Sequence, residues 1–189
     1  MPATSTTPQT SGTTRTVWQI DPSHTSVSFA IKHMMIATVR GVFTDVRGSV
    51  VTNGTPEGST VEVEIGVASI STGQEPRDVH LRSADFFDVE QFPTMTFVSR
   101  EIRAVDTDEF TMTGDLTIRG ITKPVELHVT SEGTGRDPWG NDRAGFTATG
   151  KFDRSAYGLV WNQALETGGV LVGNDVKITI DAELTHPAS

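Results

Sequence analysis

The sequence predicts an all-β domain, an antiparallel barrel or sandwich of about eight strands. Three observations lead there. Apolar residues recur at every second position through most of the chain, the period of a strand with one buried face. Clusters of Gly, Pro, Asn, Asp and Ser separate these runs. One short segment breaks the alternation and reads as one or two short helices or turns across an end of the structure. Closure into a barrel removes the sheet edges that otherwise invite aggregation.

The opening "MPATSTTPQTSGTTRT" has neither a charged start nor an apolar core, so it does not read as a secretory signal. Its Thr, Ser and Pro bury too little to offset ordering, and a disordered tail is expected over 1–16, with the domain over 17–187. The cytoplasm is the expected location.

The first clear strand is "TSVSFAIKH", with Val27, Phe29, Ile31 and His33 on one face and Ser26, Ser28 and Lys32 on the other. In "IKHMMIATVRGVF" the run Met34, Met35, Ile36 and Ala37 interrupts the alternation. It is expected to mark a bend at a strand end. A membrane hook fits poorly, because the run is short, the chain is acidic, and Lys32 and Arg40 stand too far apart for a basic patch. Methionine is adaptable and suits a flexible apolar ligand, so the run is expected to line a pocket mouth or wall.

Further strands follow. One is expected over Arg40–Val51. "TVEVEIGV" sets Val61, Val63, Ile65 and Val67 against Glu62 and Glu64. Others are expected at Thr94–Ile102, in "FTMTGDLTI" with Met112 and Leu116 on one face, at Lys123–Ser131, at Ala144–Phe152, and in "VKITIDAEL". The exception is "RDVHLRSADFFDVEQFP", where Val79, Phe86, Phe87 and Phe92 are irregularly spaced and Pro93 closes the segment.

Composition excludes several functions. The net charge is −9 and no run of Lys or Arg occurs, which argues against nucleic acid. The absence of cysteine removes disulfides, thiol catalysis and thiolate metal sites. No segment approaches the roughly 18 apolar residues of a membrane span. His24, His33, His80, His128 and His186 show no metal-ligand spacing, and no metal or cofactor is expected. There is no nucleophile elbow, and Asp85 and Asp88 read as residues flanking a helix. Arg77, His80 and Arg82 cluster beside Phe86 and Phe87. That cluster is either a solvated helix face with core plugs or a pocket rim able to hold an anion.

Four blocks then carry a resemblance. "WQIDPSHTSVSFAIKHMMIATVRGVF", "RDVHLRSADFFDVEQFPTMTF", "GDLTIRGITKPV" and "FDRSAYGLVW" resemble the YceI-like family in the right order, over Val17 to Leu184. The resemblance implies a lipocalin-like, extended antiparallel β-barrel that holds a polyisoprenoid lipid for storage, transport or sequestration. It implies a long prenyl chain, such as a polyprenyl diphosphate or a quinone-type tail, no firmly attached catalytic activity, and a homodimer in several members. By the matching blocks the head-group candidates are Arg40, Asp78 and His80, with Arg77 and Arg82 next. Asp78 would orient Arg40 or His80, or cap the helix. The expected chain-lining residues are Phe29, Ile31, Met34, Met35, Ile36, Val63, Phe86, Phe97, Met112 and Leu116. Two alternatives stand beside this reading: an enzyme using His80 on an isoprenoid or other small amphiphile, or a stress-related barrel with a filled interior acting through its surface or as a dimer.

Overall fold

In the computed structural model, residues 14–187 are described. The tail expected over 1–16 falls largely outside them, though Thr16 already belongs to a strand. Ten strands form one antiparallel sheet: β1 (Thr16–Ile20), β2 (Ser26–His33), β3 (Ala37–Phe43), β4 (Val46–Thr52), β5 (Thr60–Gly66), β6 (Thr94–Ala104), β7 (Glu109–Ile118), β8 (Ile121–Arg136), β9 (Asp142–Asp153) and β10 (Val172–His186). One helix, α1 (Glu75–Arg82), and two 3-10 turns, Val67–Ser69 and Arg154–Tyr157, complete the fold.

The sheet runs in the order β1-β4-β5-β6-β7-β8-β9-β10-β2-β3, and β1 also pairs with β10. That last pairing, Gln19 with Thr185 and Ile20 with Leu184, closes eight strands into a barrel. The β2–β3 hairpin joins the other stretch of β10, where Ile31 faces Val176 and Ser26 faces Asp181. It prolongs the wall at one end, called here the mouth. α1 and the segment after it cover that end.

The strand expected over Arg40–Val51 is in fact two, β3 and β4. The break lies at Thr44 and Asp45, whose backbone N–H groups both donate to the Ser69 hydroxyl, at 3.1 Å each. A side chain distant in sequence thus takes the donors that a continuous ladder would use. β1, not anticipated from the sequence, is short, and its pairing partners lie far along the chain.

Alternation sorts the side chains as expected. Val27, Phe29 and Ile31 of β2, Val63 and Ile65 of β5, Met112 and Leu116 of β7, and Val176, Ile178 and Ile180 of β10 all face inward onto one cavity. Glu62 and Glu64 face the other way. Gly114 sits between Met112 and Leu116, and the Phe97 ring occupies the space its side chain would take. At the end opposite the mouth, Arg143 donates to Asp21, to Asp137 and to Glu183, joining β9 to β10 and to the turns beyond β1 and β8. Among the described residues, no helix is long and apolar enough to cross a membrane.

Candidate functional site

The barrel encloses a cavity of about 790 Å³. Its length follows from the strand register. At the far end it reaches Trp18, Thr52, Phe110 and Phe146; at the mouth it reaches His33, Arg77, His80 and Trp161. The walls between are aliphatic and aromatic. A pocket of this size and character takes a ligand with a substantial apolar body.

The charges are distributed by sign. The chain carries −9, yet no Asp or Glu among the described residues lines the cavity. The charged lining residues are Lys32, Arg77 and Arg154, with His33 and His80 beside them. All five come from the elements at the mouth: the end of β2, α1, and the turn after β9.

α1 explains how two of them are held. Pro76 stands at the start of the helix, where its missing N–H costs nothing. Arg77 and His80 are three residues apart and share a helix face. Asp78 is buried and accepts from the Thr72 backbone N–H at 2.9 Å and from the Thr72 hydroxyl at 2.5 Å. The same hydroxyl accepts from Arg77 Nε at 2.7 Å, and Arg77 Nη2 donates to the Thr72 carbonyl at 3.1 Å. Asp78 therefore orients Arg77 through Thr72; its partners include neither Arg40 nor His80.

His80 has its Nε2 2.8 Å from an Asp85 carboxylate oxygen. Its ring meets Trp161 edge to face at 4.7 Å between centroids, and Phe86 likewise at 5.1 Å. These three rings form one aromatic corner of the mouth.

Arg154 is 3% exposed, and among the described residues it forms no salt bridge. Its guanidinium donates only to backbone carbonyls: Gly173 at 2.7 Å, Trp161 at 3.1 Å, Leu159, and Val172 at 3.4 Å. Burial lowers its pKa from the ordinary arginine value. Its place within the block "FDRSAYGLVW" carries no local mark of this burial.

Several expected site residues stand elsewhere. Arg40 is exposed; its neighbour Val39 lines the cavity, so alternation turns Arg40 outward. Arg82 donates to the Ala68 and Ile70 carbonyls at 3.1 and 3.0 Å and tethers α1 rather than facing the cavity. Met34, Met35 and Ile36 form the β2–β3 turn, outside the cavity lining. The lining does include Phe29, Ile31, Val63, Phe86, Phe97, Met112 and Leu116. Lys32, expected on the opposite face to Ile31, reaches the mouth at the end of β2.

A family model described as the YceI-like domain matches residues 18–184. The chain belongs to the YceI-like family. It is 38% identical over 173 residues to a UPF0312 protein of Staphylococcus aureus strain USA300, a match covering 90% of this chain and 98% of that protein. The crystal structure of the Campylobacter jejuni YceI protein is similar, with a TM-score of 0.71, 30% identity, and coverage of 82% of this chain and 90% of that one. A polyisoprenoid binding domain from Saccharophagus degradans shares the fold at 12% identity, with a TM-score of 0.62 over 90% of this chain and 98% of its own.

Proposed function

We propose that this YceI-like barrel binds a polyisoprenoid, or a similar amphiphilic isoprenoid lipid, and stores, sequesters or carries it without altering it. One observation carries the reading: a long apolar cavity whose charged lining residues are all cationic and all at one end. An amphiphile with an anionic or oxygen-rich head and an apolar tail matches that polarity along its length. The name of the Saccharophagus degradans domain, a polyisoprenoid binding domain of the same fold, supports the tail chemistry.

The energetics agree. Burying one methylene-sized group is worth about 0.8 kcal/mol, so each five-carbon isoprene unit contributes about 4 kcal/mol before ordering costs. Arg77, pre-oriented by Thr72 and Asp78, supplies a planar cation suited to phosphate or carboxylate oxygens. Lys32 adds a second cation to the lining at the mouth.

The tryptophans provide the test. Trp161 lies at the mouth and Trp18 at the far end, while Trp139 is 82% exposed. Titrating a Trp139→Phe variant with a long isoprenoid phosphate should quench both remaining tryptophans. A one-unit isoprenoid phosphate should perturb Trp161 alone. Unchanged emission with every isoprenoid tried would contradict the proposal.

A further inference from the structure

The β2–β3 turn has no role in the cavity, and its conformation is unusual. Met34 and Met35 have φ angles of 51° and 60°, and the Ile36 N–H donates to the His33 carbonyl at 3.2 Å. Two consecutive positive φ angles are the geometry that Asn and Gly accept readily in hairpins and methionine does not. The side chains so displayed are apolar: Met34 is 39% exposed, Met35 64% and Ile36 82%. The Met34 N–H donates to the Leu171 carbonyl at 2.8 Å, and Leu171 lines the cavity. The apolar tip therefore stands at the rim of the mouth, with exposed Val170 beside Leu171.

Charge separates this hairpin from the rest of the chain. No acid occurs between Asp21 and Asp45, a stretch that carries Lys32 and Arg40 in a chain of net charge −9. The strongly exposed Trp139, at the far end, is flanked instead by Asp137 and Asp142.

Against the expectation from the short run and the acidic chain, we propose that the exposed Met34–Met35–Ile36 tip docks on an anionic lipid bilayer, bringing the cavity mouth against the membrane surface. Three apolar side chains enter the interface while Lys32 and Arg40 meet anionic head groups and the acidic body stays outside. A second copy of this chain is a poorer occupant. Self-contact about a two-fold axis would bring the two cationic hairpins together, and a three-residue tip falls far short of the roughly 800 Å² per partner of a stable interface. The choice of a bilayer rests on the reading of the cavity as a lipid site, because a lipid passing directly from bilayer to barrel avoids exposing its tail to water.

The test is flotation of the full chain with vesicles of phosphatidylcholine alone and of phosphatidylcholine with phosphatidylglycerol. Wild type should float with the phosphatidylglycerol vesicles and much less with the neutral ones. Ile36→Asp should weaken that partition about tenfold or more, since it replaces an inserted apolar group with a repelled anion. Arg40→Glu should weaken it through charge. Isoprenoid phosphate added without vesicles should bind Ile36→Asp as tightly as wild type, because Ile36 is outside the cavity. Wild type that ignores phosphatidylglycerol, or Ile36→Asp that floats as well as wild type, overturns the proposal. So does a wild-type dimer that Ile36→Asp dissociates, which would assign the tip to contact between copies. Tip-dependent flotation by a barrel that binds no isoprenoid phosphate would uphold the docking and count against the cavity reading.

Discussion

Arg154 holds Trp161 by its backbone, with Nη1 donating to the Trp161 carbonyl at 3.1 Å. The same guanidinium reaches Gly173, so one buried cation ties both ends of the segment that walls one side of the mouth. Among the described residues no carboxylate pairs with it directly; backbone carbonyls take its hydrogen bonds, and the nearby charge of Asp153 adds a favourable field against the cost of burial.

Replacing Arg154 with Met should therefore remove several charge-assisted hydrogen bonds at once. Chemical denaturation should show a loss of about 2–4 kcal/mol. Arg154→Lys should lose nearly as much, because an ammonium group cannot span carbonyls arranged around a planar fork. In both variants Trp161 emission should shift toward that of exposed tryptophan.

The Asp78–Thr72–Arg77 chain makes a separable prediction. Thr72→Val keeps the shape and the backbone N–H bond to Asp78 but deletes the hydroxyl that links it to Arg77. Stability should fall by about 1–2 kcal/mol. Affinity for an isoprenoid phosphate should fall about three- to tenfold, while the matching isoprenoid alcohol is unaffected. Equal losses for both ligands would show that the chain is structural only.

Acid should loosen the far end. The hydrogen bond with His24, aided by Arg143, lowers the Asp21 pKa from 3.8 to about 2. The Asn141 side chain, again with Arg143 contributing, holds Asp137 at about 2. Carboxyls depressed on folding stabilise the fold above their ordinary pKa, and that stability is lost as pH falls from about 4 through about 2. His24 acts with the opposite sign: its raised pKa adds stability below 6.5 that is lost as pH rises through the folded value. Melting temperature against pH should show the acidic limb, and Arg143→Met should shrink it.

Gly114 tests the packing of the wall. An added Cβ would meet the Phe97 ring and lie 2.6 Å from the Val98 carbonyl oxygen. Gly114→Ala should cost about 1–3 kcal/mol by denaturant titration, since backbone cannot yield as a flexible side chain can.

The inward face of the barrel was legible because period two is a local property. Phe29, Ile31, Val63, Met112 and Leu116 reach the cavity as their alternation requires. The closure through β1 was not, since a five-residue strand gains its identity only from Val51, Val50 and Leu184 far along the chain. Arg154 was invisible for a similar reason: burial of an arginine depends on carbonyls at Leu159, Trp161, Val172 and Gly173 that only the fold assembles. Met34 to Ile36 misled in the opposite direction. Apolar side chains in a β protein are usually covered, and nothing local signals that two methionines adopt the left-handed backbone of a hairpin turn.

The central claim is that the cavity carries an isoprenoid amphiphile with its head at the cationic mouth. Mass spectrometry of the organic extract of purified protein tests it most directly. The expected result is a stoichiometric isoprenoid species bearing a polar or anionic head. A protein that yields no isoprenoid lipid, and takes none up when incubated with one, would contradict it.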